Sequence, residues 1–321
     1  MSITFKNSVL KIDDDLAALG RKTIAEQGLP AFLMKSILFA KDIVWRFLRE
    51  YIPLQIFLAF ADGNGEIRQK IQGNSMLLNL DDEGISRELA LYGVHERNST
   101  EEVKRLVKKG MKILEVGANI GYYAILETKL AGADGHLYAF EPSPFNFDLL
   151  KRNLSLNKIG NADIYQKAAG AENTAGKFFV ANKSNLSSFI QRDSMDMIHD
   201  GKIVDVDIVR LDDFFAEKDL DFIRMDVEGY ELEILKGAEK LLERKNPPKH
   251  FFIEVHSELL HKKDSSAKEI VENLRRHGYE VIKSYYRGSS KIQVADTEAL
   301  LSHPLLEKGY WETFFEHKKK N

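Results

Sequence analysis

No cysteine occurs among the 321 residues, which excludes disulfides, thiolate zinc sites, iron–sulfur clusters and any cysteine nucleophile at once. A chain of this kind suits a reducing compartment, and a cytoplasmic location is expected. Proline is scarce, at 7, and neither charge sign dominates: 46 Lys and Arg stand against 49 Asp and Glu, a formal net charge of −3. The chain therefore lacks the general basic surface that a nucleic-acid binder uses, and no nucleic-acid partner is expected. Long apolar runs are missing as well. The most apolar stretch, 31–60, is broken by Lys35, Lys41, Asp42, Arg46, Arg49, Glu50 and Pro53, whereas a spanning helix needs about 20 nearly uncharged residues. The opening residues mix charged and apolar side chains without a basic segment leading into an apolar one, so no secretory signal is read.

What is present is an ordinary globular composition, 44% hydrophobic and 30% charged, able to bury a core. Its texture changes near residue 100. Residues 1–98 read as an N-terminal helical arm and a small antiparallel entry region. The arm is a helix over 31–52 behind Pro30, with polar positions 35, 42, 46 and 49 forming a narrow stripe; the entry region has the turn signal Asp62-Gly63-Asn64-Gly65 and short apolar runs at 67–71 and 76–80. Residues 99–295 alternate strand and helix. Strands are predicted at Lys112–Val116, 136–141, 162–166, 204–209, 222–226 and 250–255, and helices at 120–130, 143–156, 229–242 and 265–276. That alternation implies an α/β domain with a mostly parallel sheet covered on both faces. The segments 279–286 and 292–294 read as an antiparallel hairpin at one edge, and 296–321 as a C-terminal extension.

The most informative segment is Ile113-Leu114-Glu115-Val116-Gly117-Ala118-Asn119-Ile120-Gly121-Tyr122-Tyr123. A strand that ends in a glycine turn and opens a helix brings backbone N–H groups to the carboxyl edge of the sheet, where such folds bind nucleotides. Asn119 stands where a dinucleotide fingerprint has its second glycine, which counts against a pyrophosphate and so against NAD or FAD. Glu115 points the same way, because a carboxylate beside the turn repels a pyrophosphate and attracts an ammonium or sulfonium group. S-adenosylmethionine carries both cations and no phosphate. Glu141, which closes the next strand 20 residues after Gly121, is placed to accept both hydroxyls of a ribose bound at the turn. Glu115, Gly117, Asn119, Gly121, Tyr122 and Glu141 are the candidate cofactor contacts, together with Asp226.

Five segments in order, Val-Gly-Ala-Asn-Ile-Gly at 116–121, Phe-Glu-Pro-Ser-Pro at 140–144, Leu-Asp-Asp at 211–213, Met-Asp-Val-Glu-Gly-Tyr-Glu at 225–231 and Ile-Glu-Val-His at 253–256, resemble the FkbM-type S-adenosylmethionine-dependent methyltransferases. The resemblance covers about residues 95–286. It implies the seven-stranded, mostly parallel Rossmann-like methyltransferase sheet and transfer of a methyl group, typically to a hydroxyl of a sugar, polyketide or other secondary metabolite. The competing readings are a nucleotide-dependent oxidoreductase, which Asn119 and Glu115 disfavour, and a cofactor-binding or interaction protein without turnover.

Methyl transfer to an alcohol is an in-line displacement that needs the acceptor aligned and its proton removed. The family motifs put Asp226, Glu228, Glu231, Glu254 and His256 at or just beyond the ends of two adjacent strands, with His256 as the expected general base, Glu254 or Glu228 to orient it, and Glu231 read as complementing the dipole of the helix it begins. Asp226, Glu228, Glu254 and His256 form an oxygen-rich set suited to Mg²⁺ or Mn²⁺, the less favoured alternative. Ser187 and Ser188, in a polar stretch after the third strand, are candidates to hold a small-molecule or glycan acceptor. The apolar helix of the arm would be hidden by packing on the domain, by pairing with a second copy, or in a membrane interface, the first two being favoured.

Overall fold

The computed structural model describes residues 2–5, 8–11, 41, 44–45, 47–181, 187–189, 202–288 and 292–318. The chain divides into two compact units, Met1–Phe60 and Ala61–Asn321.

In the first unit, strands β1 (Ser2–Phe5) and β2 (Ser8–Lys11) pair antiparallel. Most of the helix expected over 31–52 lies outside the described residues. Where description resumes, a π-helical turn, Phe47–Tyr51, leads into a helix at Ile52–Phe60. The wide turn falls just before Pro53, whose ring and missing N–H break the ordinary ladder. The described helical backbone thus runs past residue 52. Neither element buries a side chain, and Trp45, Leu48, Ile56 and Phe60 are exposed. No described helix is long and apolar enough to cross a membrane.

The second unit opens with a hairpin of β3 (Glu66–Ile71) and β4 (Asn74–Asn79). Its turn is Gln72-Gly73, both at positive φ, rather than the Asp62–Gly65 signal, which forms a separate turn ahead of β3. The hairpin is tied to the helix Pro144–Leu156: Leu77 N donates to Asn153 Oδ1 at 2.6 Å, and Asn157 Nδ2 donates to the Ser75 carbonyl at 2.7 Å. The entry region therefore belongs to the larger unit, which begins at Ala61.

The central sheet has the order β14-β13-β15-β12-β11-β5-β6-β7. Here β5 is Lys112–Val116, β6 His136–Phe140, β7 Ala162–Tyr165, β11 Phe222–Met225, β12 His250–His256, β13 Tyr279–Tyr286, β14 Gln293–Val294 and β15 Tyr310–His317. The five strands from β12 to β7 run parallel, while β15 lies antiparallel to both β12 and β13. Apart from the two-residue edge strand β14, this is the seven-stranded, mostly parallel sheet expected. The helix Tyr122–Ala131 follows β5 and packs against β5 and β6, almost every residue of it buried.

Two expectations change. The segment 204–209 is not in the central sheet: β10 (Lys202–Arg210) pairs antiparallel with β9 (Thr174–Val180) and parallel with β8 (Ala168–Gly170) in a separate three-stranded sheet. Its pattern explains this, since Val206 and Ile208 are buried while Asp205 and Asp207 between and beside them are exposed, the period-two signature of a strand with one wet face. The stretch set apart after residue 295 contains β15, which fills the gap between β12 and β13. Trp311, Phe314 and Phe315 on it are at most 1% exposed, and Phe314 stacks on Phe252 at 4.3 Å. The hairpin at the edge is present, with Ser284 opposite Val294.

Candidate functional site

The turn after β5 is built from three consecutive odd positions in the left-handed region, Gly117, Asn119 and Gly121. A Cβ on Gly117 would collide with the backbone oxygen of Asp226, and one on Gly121 would lie 2.8 Å from Leu150 Cδ1. The turn is thus wedged between the exit of β11 and the helix Pro144–Leu156. Gly117 N and Ala118 N donate to the Phe140 carbonyl, at 2.9 and 3.0 Å, which ties it to the end of β6.

Glu141 stands at that end, 4% exposed. Its two oxygens accept backbone N–H bonds from Asn119 and Ser143, each at 2.8 Å. Ser143 in turn caps the helix that Pro144 opens. Burial pushes the carboxyl up to about 7 despite these bonds, with Asp226 adding to the rise.

The turn, Glu141 and the exit of β11 line one cleft of about 560 Å³ that opens to solvent. Of the candidates named from sequence, Gly117, Asn119, Glu141, Ser187, Asp226 and Glu228 line it. Sequence reasoning missed its apolar wall, Phe140, Ala168, Ala169, Phe178, Phe189 and Tyr230. Phe189 packs on Phe178 at 5.1 Å and on Tyr230 at 4.8 Å. The alternation Val-Asp-Val-Asp at 204–207 was the one signal for the small sheet that carries part of this wall.

The other candidates are elsewhere. Because Val116 faces the cleft, Glu115 beside it on the strand faces the opposite side of the sheet. There it is 1% exposed and accepts from Arg224 Nη1 at 2.8 Å, so it cannot meet a ligand in the cleft. Arg224 had no sequence assignment, although a cation inside Phe-Ile-Arg-Met was a visible anomaly. It is 2% exposed, lies over the Tyr123 ring at 4.0 Å, and reaches Asp226 Oδ2 at 3.3 Å. Glu127 adjoins Glu115, and burial together with Glu115's charge holds its carboxyl well above the usual range. Tyr122 is buried with its hydroxyl 3.0 Å from Thr100 Oγ1. Gly121 turns the backbone behind the cleft. Ser188 is 1% exposed and pairs through its backbone with Phe179.

Glu254 and His256, on β12, do not line the cleft but lie directly behind Asp226 and Glu228. Imidazole Nε2 is 3.5 Å from Glu228 Oε2, 3.8 Å from Glu254 Oε1 and 3.9 Å from Asp226 Oδ1. On the other side of the ring Glu231 Oε1 lies 2.7 Å from Nδ1, so Glu231 joins Glu228 and Glu254 around the imidazole. Burial alone would lower the imidazole's pKa, but Glu228, Glu231 and Glu254 outweigh it and hold it well above its ordinary value. The surrounding carboxylates thus favour the protonated ring, whereas the role expected of His256 as a general base needs the neutral one. One ligand atom from each of Asp226, Glu254 and His256 lies within 4.8 Å of the others, the set among the described residues with spacing to share a metal ion. Arg287 Nη1 already takes Glu254 Oε1 at 2.5 Å.

A sheet of this order with a glycine turn and a buried acid at the carboxyl edge defines an α/β fold of the methyltransferase type. The model of the methyltransferase FkbM domain matches residues 115–281, and the chain belongs to that family. It is 29% identical over 145 residues to Methyltransferase 1 of Beauveria bassiana, covering 40% of this chain and 58% of that one. With Methyltransferase sdnD of Sordaria araneosa it shares 28% over 158 residues, 40% of this chain and 60% of the other. The chain thus spans less than two thirds of these relatives. Among solved structures, a SAM-dependent methyltransferase from Aquifex aeolicus aligns over 68% of this chain and 89% of its own, at 16% identity and a TM-score of 0.38.

Proposed function

We propose that this chain is an S-adenosylmethionine-dependent methyltransferase that acts on a hydroxyl of a small-molecule or glycan acceptor in the cytoplasm. The observation that carries the reading is the union, in one cleft, of the Gly117–Gly121 turn, buried Glu141 and the paired carboxylates Asp226 and Glu228. Glu141 takes the ribose hydroxyls and the apolar wall of Phe140, Ala168, Phe178 and Phe189 takes the adenine. Asp226 and Glu228 supply the negative charge that the sequence reading gave to Glu115, at a place where an ammonium or sulfonium group can meet it. When bound, S-adenosylmethionine supplies an activated methyl group. The chain's own residues align the acceptor and exclude water, and a cleft-lining carboxylate, with His256 behind it, receives the hydroxyl proton. Ser187, whose Oγ accepts from Ala181 N at 3.0 Å, contributes a hydroxyl to the acceptor side.

Calorimetric titration with S-adenosylmethionine and with NAD tests the cofactor, and isotopic methyl labelling of a cell extract tests the transfer. Binding of NAD in preference to S-adenosylmethionine would remove the reading. Replacing Glu141 by Gln is expected to weaken S-adenosylmethionine about tenfold at pH 8. The pH dependence has a definite sign. Ribose hydroxyls bond the carboxylate form, so binding releases a proton while pH is below about 7, and wild-type affinity rises through that value. The Gln variant lacks that component. Equal pH slopes in the two proteins between pH 6 and 8 would remove Glu141 from the ribose.

The spacing of Asp226, Glu254 and His256 favours a second reading, in which a divalent ion polarises the acceptor hydroxyl. Turnover with labelled extract should survive EDTA. If EDTA abolishes it and Mg²⁺ restores it, the metal reading replaces the carboxylate base.

A further inference from the structure

Between β11 and the helix Glu231–Lys236 the chain passes through Asp226-Val227-Glu228-Gly229-Tyr230, with Glu228 at φ +56° and Gly229 at φ +91°. A glutamate in the left-handed region costs about 1 kcal/mol or more and persists only where neighbours enforce it. The enforcing group is Glu231. Its Oε1 accepts the Gly229 N–H at 3.0 Å, and the same oxygen lies 2.7 Å from His256 Nδ1. Glu231 is 0% exposed, which separates it from a carboxylate that merely complements a helix dipole from the surface. Its other oxygen has no hydrogen-bond partner, so the residue is kept at a desolvation cost.

These two contacts act on one object. The Gly229 bond fixes the turn that sends the Glu228 side chain into the cleft. The His256 bond sets the ring so that Nε2 faces Glu228, Asp226 and Glu254 at 3.5–3.9 Å. We propose that Glu231 is a positioning residue, which holds the Glu228 turn and the His256 ring from one buried oxygen and so aims Asp226 and Glu228 at the cationic end of the bound cofactor. The assignment rests on the cofactor reading above and adds to it a residue that does not touch the ligand.

The charged and titratable groups facing His256 are Asp226 and Glu228 from the exit of β11, Glu231 from the following helix, Glu254 on its own strand, and Tyr310 on β15, whose ring stands 5.1 Å away. Neutralising Glu231 removes the nearest of these carboxylates and weakens its hold on Nδ1, whereas a residue that only filled space there would leave both the Nδ1 signal and the affinity of the cleft unchanged. The test uses the full-length chain and its Glu231→Gln variant, which keeps the side-chain shape. Nitrogen NMR of labelled histidine, with His256 assigned by its loss in His256→Gln, reads the protonation of both ring nitrogens from pH 5 to 9. Calorimetry with S-adenosylhomocysteine at pH 8 reads the cleft.

The expected result is a wild-type His256 whose Nδ1 keeps its hydrogen-bonded proton, a variant in which the Nδ1 signal shifts, and an affinity about tenfold lower in the variant. An unshifted Nδ1 signal in the variant, or unchanged affinity, overturns the proposal. Should Glu231→Gln fail to fold, the wild type still decides, because an unprotonated Nδ1 contradicts the proposed hold on the ring. If the wild type binds neither S-adenosylmethionine nor S-adenosylhomocysteine, the cofactor reading fails, and the NMR result separately reports whether Glu231 holds the ring.

Discussion

Arg224→Met is expected to destabilise the protein by about 3–5 kcal/mol, the usual cost of removing one partner from a buried charge cluster. Arg224 Nη1 bonds Glu115 at 2.8 Å, and Nη2 lies 3.3 Å from Asp226 Oδ2 and 3.8 Å from Glu96 Oε2. Glu96 and Glu115 are each 1% exposed in their side chains, so neither can turn to water when the guanidinium goes. Methionine fills much of the space between Tyr123 and Phe252 and keeps the test on charge rather than on a cavity. The deficit also depends on pH. Burial already holds Glu115 above its ordinary value in spite of Arg224. Without the arginine it rises further, so the folded state retains a proton that the unfolded state releases. Stability is then present at low pH and lost as pH rises through the folded value, and the variant should lose more at pH 8 than at pH 5. The second substitution Glu115→Gln should restore part of the loss, because it removes the orphaned charge. Urea titration of the four proteins of this cycle measures both effects. A single-variant loss below about 1 kcal/mol, or no coupling to Glu115, would show that the cluster does not hold the strand ends together.

Gly117→Ala should cost about 3 kcal/mol and take cofactor binding with it. The residue sits at φ +84°, and the added methyl would meet the backbone oxygen of Asp226 rather than the end of a flexible side chain. Relief requires β5 and the exit of β11 to separate, which opens the cleft between them. Gly73→Ala is the control: its φ is +78°, but nothing lies within 4 Å of the new Cβ. It should show only the conformational cost, about 1 kcal/mol. Thermal unfolding of both variants, with a calorimetric titration of each, separates strain from collision. Equal losses in the two would mean that the close approach of turn and strand has no energetic weight.

The alternation of apolar strands and amphipathic helices from Lys112 to Arg276 was readable because both periods are written locally, and the strands β5, β6, β7, β11 and β12 stand within a residue or two of their expected places. The glycine turn and Glu141 were readable for the same reason: positive φ and a strand-end acid are properties of neighbouring residues. Strand order was not local. The sequence sets Tyr310–His317 apart in a C-terminal extension, and only the gap between β12 and β13 makes it an inner member of the sheet. Likewise Val204–Val209 looked like a core strand until its alternating aspartates found a wet face in the small sheet.

The composition and short-range pattern of this chain by themselves determined an α/β fold with a nucleotide-type turn, and which carboxylates stand at strand ends. They could not determine what faces those carboxylates. Glu115 and Val116 are adjacent, yet the pleat sends one to Arg224 and the other to the cleft. His256 carries a motif suited to a base, yet four carboxylates brought from three elements crowd its ring. A side chain's protonation state depends on charges and solvent within a few ångströms, and those neighbours are far apart in sequence. The tertiary structure alone sets them.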